Sequence, residues 1–407
     1  MSRLLRQRGM RLLLLATLAS LIGDSLLIIV LGIWVNELTG SAGAAGLTFL
    51  FMALPALIAP AVGVLIDRSQ RKWFLVAANL ITGLALLPLL LVADAGDVWM
   101  IYVVSSVYGL SLIAIPSALS GLLQELLPEE LLADANSVIQ TAKESLRLVG
   151  PLAGSGLYAA LGATPVVLID LGTFLFAAVA FALLGVQHRR REAGHEAGLR
   201  AELAAGARFL ATDPPLRRLL AAVAASFLVF GFAESVVFAL TDALGRTPEF
   251  VGPLFALQGA GAVAGGMAAA RAIHRFGESG TTALGLLSIA VGMGLAATQS
   301  LALTCIGMVI AGLGPPLLLV ALFTLIQVRS PGAIIGRVAA TTELAIGVPQ
   351  ILSIGLGALL ISFIDYRILL AAMVAVTTVA ALFLIGVTRR QSGHPERDAT
   401  DSSPDRS

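Results

Sequence analysis

Long apolar runs separated by short polar stretches dominate the chain. A run of about 20 apolar residues forms a helix long enough to cross a hydrocarbon core of about 30 Å. Twelve such runs can be recognised, here numbered spans one to twelve. They lie near residues 12–35, 44–66, 73–93, 98–123, 137–161, 164–187, 219–241, 250–271, 281–298, 301–327, 339–362 and 367–388. The pattern predicts an all-α integral membrane protein with twelve transmembrane helices.

Composition agrees with this prediction and charge adds an orientation. Of the 407 residues, 57% are hydrophobic and 13% charged, whereas soluble domains average about 45 to 50% and about 25%. The net charge is only +1, yet the basic residues of the loops, apart from Arg246 and Arg367, fall on the side of the two termini. By the positive-inside rule, we expect both termini to be cytoplasmic, as an even number of spans requires.

One long polar insert, from Gln187 to Leu219, divides the spans six and six. Within it Leu199, Leu203, Ala207 and Leu210 recur at helical spacing, which predicts an amphipathic helix on the inner membrane surface. The predicted units are an N-terminal six-helix bundle over residues 1–187, a cytoplasmic linker over 188–218, a C-terminal six-helix bundle over 219–389 and a disordered cytoplasmic tail over 390–407.

The two halves resemble each other at two loops. Residues Gly63–Gln70, after span two, align with Ala270–Gly277, after span eight, and Leu127–Asn136, after span four, align with Ser330–Ala339, after span ten. Such internal repeats are typical of secondary transporters, in which two bundles are related by pseudo-symmetry. The repeats therefore predict two pseudo-symmetric six-helix bundles.

The first of these loops carries a specific motif. The stretch G-V-L-I-D-R-S-Q-R-K resembles the loop motif G-x-L-a-D-R-x-G-R-K of the major facilitator superfamily, with a glutamine at the second glycine. The matching residues are Gly63, Leu65, Asp67, Arg68, Arg71 and Lys72. Further short segments are similar to the branch of macrolide-efflux proteins and enterobactin exporters: I-G-D-S from Ile22, L-T-G-S-A from Leu38, the pair Ala135 and Asn136, and G-P-L-A-G from Gly150.

The resemblance implies a role for the loop, since in this family it holds the cytoplasmic ends of the two halves together in the outward-facing state. We hypothesise that Asp67 faces the start of span eleven near Arg337, where opposite charge and the positive end of a helix both attract it. Gly63, Arg68 and Arg71 would belong to the same conformational gate.

Span five contains G-P-L-A-G-S, which is similar to the G-P-x-x-G-G motif of the family's antiporters but has Ser155 at the last position. Gly150 and Gly154 form a small-xxx-small face that favours close helix packing, and Pro151 bends a helix. These residues predict a close-packed, kinked helix at the seam between the halves. The arginine that drug antiporters often carry in span four is missing, since residues 102–123 contain no basic residue.

Two acids lie inside apolar spans at equivalent places of the repeats. Asp24 occupies the centre of span one and Glu234 occupies span seven, and each is followed by a serine. A charge in mid-membrane costs at least about 2.5 kcal/mol on insertion scales, so each acid needs a partner, a water-filled cavity or a function. Asp24 is either a proton carrier or a hydrogen-bonded structural acid, and Glu234 is a cavity acid that binds protons or a cationic substrate.

Three further polar residues complete the candidate proton-coupling or substrate cavity. Asp170, in the outer part of span six, either belongs to the cavity or makes a buried hydrogen bond. Glu343 lies about four residues into span eleven, where the helix dipole favours an acid. Gln258 of span eight could bind substrate, although such residues also hold transmembrane helices together.

The resemblance and these residues together point to a secondary transporter. The leading hypothesis is proton-coupled export, across a bacterial inner membrane, of a hydrophobic or amphipathic compound such as a macrolide-like antibiotic, drug or natural product. A siderophore or metabolite exporter of the same fold and a non-transporting sensor or scaffold remain alternatives. The sequence shows no nucleophile or metal cluster and no G-x-x-x-x-G-K-[ST] loop, so we expect neither an enzyme nor an ATP-driven pump. We expect no cofactor beyond the proton gradient, no metal, no nucleic-acid partner and a monomer.

Overall fold

The computed structural model describes residues 8–127, 129–185, 199–331 and 334–392, and the regular secondary structure of these ranges is entirely helical. The helices are α1 (Arg8–Thr39), α2 (Ala42–Ala53), α3 (Ala59–Arg68), α4 (Arg71–Ala85), α5 (Val98–Leu126), α6 (Glu129–Leu161), α7 (Ala163–Ala182), α8 (Leu199–Thr212), α9 (Pro214–Phe230), α10 (Ala233–Ala243), α11 (Val251–Ala296), α12 (Leu301–Arg329), α13 (Ile335–Leu360) and α14 (Tyr366–Ser392).

Nine helices in the described ranges are long and apolar enough to cross a membrane, or ten if α9 and α10, which meet at 45°, form one span. Two further candidate spans do not meet this criterion. The first is α6, whose first half is rich in charged residues, and the second is hidden inside the long helix α11. With these two, the described helices are consistent with the twelve predicted spans.

Helix α11 is two helices joined at a reversal. Gly277 has φ +68°, in the left-handed region that favours glycine. Gly265 of the first arm and Gly285 of the second both pack against α12, at Leu313 and Gly314 respectively. Because positions on either side of Gly277 reach the same level of α12, the chain turns back there, and the arms correspond to spans eight and nine.

Span two, expected as one helix over 44–66, is broken. A 3-10 turn at Leu54–Ile58 separates α2 from α3. Pro55 and Pro60 lie near the starts of the turn and of α3, where each ring removes a backbone donor from the helical ladder. Residues Ala42–Ile66 nevertheless form one apolar span, as predicted, with a change of helix type at these prolines.

The predicted linker helix is present as α8, but its packed face differs from the predicted one. Leu210 is buried and Gly206 packs against the backbone carbonyl of Arg337 at the start of α13, whereas Ala207 is exposed. The helix therefore rests on protein. The linker residues 186–198 and the tail residues 393–407 lie outside the described residues, and α14 continues three residues past the predicted bundle end at 389.

Hydrogen bonds and an ion pair fix the start of the C-terminal half. The Asp213 carboxylate accepts from the Leu216 backbone N–H at 3.0 Å and thereby caps α9. Its other oxygen lies 2.8 Å from Nε of Arg329, the last residue of α12. Burial alone would raise the pKa of Asp213, but the Leu216 bond and the Arg329 charge outweigh burial and hold it below its ordinary value.

The two halves, α1–α7 and α9–α14, are in contact near one end of the molecule. We call the face at which α1 begins and α14 ends the termini face, and the opposite face the distal face. Near the distal face, Phe49 of α2 lies 6.3 Å from Phe238 of α10, centroid to centroid. Gly252 of α11 packs against the Pro151 carbonyl and the Ser155 hydroxyl of α6. The halves are therefore closed together on the distal side.

The antiporter-like segment of α6 makes two different contacts. A Cβ placed at Gly150 would lie 2.5 Å from the Cβ of Ser25, and Gly154 packs as closely against the backbone of Leu26. These glycines thus join α6 to α1 within one half, while Pro151 and Ser155 form the seam with the other half. The two glycines therefore face α1 rather than the seam.

Candidate functional site

Two adjoining cavities lie between the halves. The larger, of about 450 Å³, is lined chiefly by α1 and α6, and the smaller, of about 280 Å³, chiefly by α9, α11 and α12. They share Arg147, Pro151, Glu234 and Phe255. Because one set of side chains lines both, we treat them as two lobes of one central cavity, which lies on the termini side of the distal seam.

Asp24 lines the larger lobe near the middle of the 32 residues of α1. Its Oδ1 accepts a hydrogen bond of 2.6 Å from the hydroxyl of Tyr108 in α5. Tyr108 is fully buried, and its ring meets Phe174 edge-on with centroids 6.0 Å apart. Asp24 therefore faces the cavity and is also bonded to the interior of its own bundle.

Asp170 lies behind Asp24 and is fully buried, outside both lobes. It packs against Gly23, so it lies level with the middle of α1 rather than in the outer part of its span. The Thr173 hydroxyl donates to its Oδ1 at 3.2 Å. Its Oδ2 has no hydrogen-bond partner within the described structure. The two carboxyls, Asp24 and Asp170, are close enough to interact electrostatically.

Glu234 lies in the first turn of α10, just after the bend from α9, and faces both lobes. Across the described part of the chain its carboxylate has neither an ion-pair partner nor a hydrogen bond. The smaller lobe beside it contains Gln258 and the rings of Phe227 and Phe230, whose centroids are 5.8 Å apart. The structure thus brings Asp24, Glu234 and Gln258 to one cavity.

Glu343 lies elsewhere. It lines a separate pocket of about 440 Å³ between the α2–α3 break and α13. Leu203 of the linker helix α8 also reaches this pocket. Glu343 is therefore separated from the other predicted cavity residues, and its role stays a prediction.

Sequence reasoning missed three charged residues of the central cavity, Lys143, Glu144 and Arg147 of α6. Arg147 Nη1 lies 4.0 Å from a carboxylate oxygen of Glu144, and both side chains are substantially exposed, at 62% and 44%. All three fall inside the predicted span 137–161. Charges within a predicted span are the pattern that could have identified them.

The residues of the predicted gate lie at the termini face. Arg71 Nη1 makes a 2.7 Å ion pair with Glu125 and a 3.1 Å hydrogen bond to the Gly121 carbonyl, both in α5. Lys72 donates to the Leu184 carbonyl at 2.7 Å. These contacts hold the loop to its own half. Gly63 has open space around its Cα, and Arg68 is exposed. The side chain of Asp67 lies outside the described part of the structure, so the contact with Arg337 stays a prediction.

A charged cavity between two bundles of helices is the architecture of a membrane solute transporter. The Major Facilitator Superfamily profile matches residues 13–241, more than half of the chain. The chain belongs to this superfamily. The predicted all-α, two-bundle fold and the expectation of a transporter rather than an enzyme are thereby confirmed.

Two relatives extend the comparison. An uncharacterized MFS-type transporter, YfiS of Bacillus subtilis (strain 168), is 29% identical over 262 residues, which cover 63% of this chain and 62% of the relative. Macrolide efflux protein A of Streptococcus pyogenes is 29% identical over 170 residues, which cover 41% of this chain and 42% of the relative. The match thus spans less than two thirds of either relative. The predicted resemblance to the macrolide-efflux branch is confirmed at this level of similarity.

A solved structure shows the same fold. A bacterial homologue of the iron transporter ferroportin in its inward-facing state aligns with a TM-score of 0.74 at 16% identity, over 93% of this chain and 98% of that one. The outward-facing state of that homologue aligns with a TM-score of 0.60 at 18% identity, over 94% and 100%. Both alignments show that this chain and that homologue share one fold.

Proposed function

We propose that this protein is a secondary active exporter that expels hydrophobic or amphipathic small molecules, such as macrolide-like antibiotics, drugs or other natural products, by proton antiport. The observation that carries the proposal is the placement of two acids, Asp24 from one half and Glu234 from the other, on one cavity. An acid on each wall can exchange a proton for substrate as the halves rock about the cavity. The similarity to macrolide efflux protein A supports this class of substrate.

The orientation of the molecule follows from its basic residues. The termini face carries Arg68, Arg71 and Lys72 of the loop between α3 and α4. By the positive-inside rule this face is cytoplasmic, in a bacterial inner membrane. The cavity then opens to the cytoplasm, where an exporter collects its substrate. The protein would act as a monomer, with protons, substrate and lipid as its only partners and no cofactor or nucleic acid.

The proton route begins at the cavity wall. Asp24 is both a cavity residue and the acceptor of the Tyr108 hydrogen bond. When the distal side opens, Asp24 takes up a proton, and when the cytoplasmic side opens, it releases the proton and regains the full hydrogen bond. Glu234 lines both lobes and lacks a partner within the described structure. At this position protons and the substrate compete for its carboxylate.

Export of radiolabelled erythromycin in everted membrane vesicles tests the proposal. We expect uptake driven by an imposed pH gradient, and loss of that uptake when the gradient is collapsed or when Asp24→Asn or Glu234→Gln is introduced. The matched control is Asp242→Asn, an exposed acid on α10 away from the cavity, which should behave as wild type. With the membrane potential also set to zero, uptake that survives collapse of the pH gradient would exclude proton antiport. A vesicle-inserted protein with no uptake under any condition would favour the sensor or scaffold.

A further inference from the structure

Two cations of α6 lie at the depth of the hydrocarbon core. Gly150 packs against Ser25, the neighbour of Asp24 near the middle of α1, so it lies close to the membrane midplane. With a rise of about 1.5 Å per residue, Arg147 lies about 4.5 Å and Lys143 about 10.5 Å from that level toward the termini face. Both are within the half-thickness of the hydrocarbon core, about 15 Å.

Their depth distinguishes them from the basic residues that set topology. Topology-setting cations lie in loops, beyond the ends of the spans, whereas a cation inside a span is expensive unless it faces a partner or a water-filled cavity. Lys143 and Arg147 line the larger lobe. The acid beside Arg147 is Glu144, at the 4.0 Å limit of an ion pair. Lys143 makes neither an ion pair nor a hydrogen bond with the rest of the described structure.

The position of these cations fits the acidic group of an amphipathic molecule. Lys143 and Arg147 are four residues apart, so they project from one side of α6. Arg147 also borders the smaller lobe, where Phe227, Phe230 and Phe255 form an apolar wall. A guanidinium binds a planar anion through two parallel hydrogen bonds, and an ammonium adds a mobile point charge.

We propose that Lys143 and Arg147 form an anion-binding subsite, and that the exported molecules include amphipaths that bear a carboxylate, sulfonate or phosphate. The acidic group docks on α6 and the apolar body enters the aromatic lobe. Glu234, which lines both lobes, can hold a basic group of the same molecule, so zwitterions are included. This inference deepens the proposed function and rests on it, because it assigns the chemical class of the cargo.

Rhodamine B and rhodamine B ethyl ester provide matched probes, since they share one aromatic cation and differ in the free carboxylate. Binding is measured by fluorescence anisotropy with the full-length protein in nanodiscs of phosphatidylcholine, with the signal of empty nanodiscs subtracted. We expect the acid to bind about 5- to 30-fold tighter than the ester. This is the difference in affinity expected for one charge-assisted hydrogen bond in a partly hydrated cavity. Added salt should reduce this preference.

The variants separate charge from structure. Lys143→Gln and Arg147→Gln should each reduce the preference, and together they should abolish it without weakening the ester. Arg147→Lys should retain part of it, which shows that the helix still folds. The control is Arg271→Gln, an exposed arginine of α11 outside the cavity, which should keep the full preference.

Equal binding of the two dyes, a preference that survives the double variant, or no binding of rhodamine B up to its solubility limit would each overturn the proposal. No proton gradient is present in the binding assay, so its result does not depend on proton antiport. If the vesicle assay excludes proton antiport, the anion-binding subsite can still be tested by binding. If the binding assay excludes the subsite, proton antiport remains possible with a cargo of another charge.

Discussion

The distal seam depends on a glycine that touches the opposite half. In wild type, Gly252 of α11 packs directly against Ser155 and Pro151 of α6. A Cβ at this position would overlap the Ser155 hydroxyl and lie 2.5 Å from the Pro151 carbonyl oxygen. Ordinary contacts between such atoms are about 3.5 to 4 Å, so Gly252→Ala requires the halves to separate by about 1 Å at the seam.

The magnitude follows from the cost of overpacking. Adding a methyl group to a tightly packed contact typically costs about 1 to 3 kcal/mol. The serine hydroxyl can rotate away, but a backbone carbonyl cannot. Because the clash exists only while the seam is closed, its full cost falls on that state. The ratio of distal-open to distal-closed molecules should therefore rise about 5- to 150-fold.

Cysteine accessibility measures this shift. Cys305 is the single cysteine of the chain, so a Cys305→Ser background allows a reporter at Ser25→Cys, in the central cavity. In right-side-out vesicles, a membrane-impermeant thiol reagent reaches this reporter only when the seam opens. Gly252→Ala should speed its labelling, and adding Ser155→Gly should restore part of the wild-type rate, since the carbonyl contact remains.

The matched control is Gly266→Ala on the same helix, where an added Cβ meets nothing within 4 Å. It should label at the wild-type rate. Unchanged labelling of a well-expressed Gly252→Ala protein would refute the assignment of this contact as the distal closure. So would equal acceleration by Gly266→Ala, because the effect would then come from any alanine in α11.

Three further predictions use other contacts. Tyr108→Phe keeps the buried ring but removes the 2.6 Å bond to Asp24; vesicle assays should show proton-driven export slowed about fivefold, for a bond of about 1 kcal/mol, with little change in melting temperature. Because the pKa of Asp213 is lowered in the folded state, its contribution to stability is present above the unfolded value of about 3.9 and lost as pH falls through the folded value. Melting of the detergent-solubilised protein between pH 7 and pH 3 should show this loss in wild type and not in Asp213→Asn. Asp67→Asn should slow transport and leave membrane insertion and dye affinity intact, and normal turnover would contradict the gate.

The broad architecture could be predicted because burial in a bilayer imposes a length and a composition on each span. The two acids at Asp24 and Glu234 were identified for the same reason, since a charge inside an apolar run stands out. The linker helix followed from helical spacing, but its packed face did not. Ala207 is a small apolar residue that fits either environment, so the pattern could not tell which side α13 would cover.

The sequence could not show how deep a residue lies in its span, or which residues of other helices it contacts. Nothing in the chain links Asp24 to Tyr108, 84 residues away, because the contact depends on how α1 and α5 pack. Likewise, the sequence places Arg147 inside a predicted span, but only the packing of Gly150 on Ser25 fixes its depth relative to α1. The breaks in span two depended on prolines, whose local effect the hydropathy pattern averages away.

The cations of α6 also have an electrical consequence. A cell interior is negative, so an acidic cargo held by Lys143 and Arg147 leaves in the direction that the membrane potential favours. A proton entering in exchange moves charge in the same sense. One-for-one exchange of a monoanion then transfers two elementary charges, worth about 4.6 kcal/mol at 100 mV. Such a cycle would run on voltage alone, and an exporter placed in this way could keep working in an alkaline medium where the pH gradient has vanished.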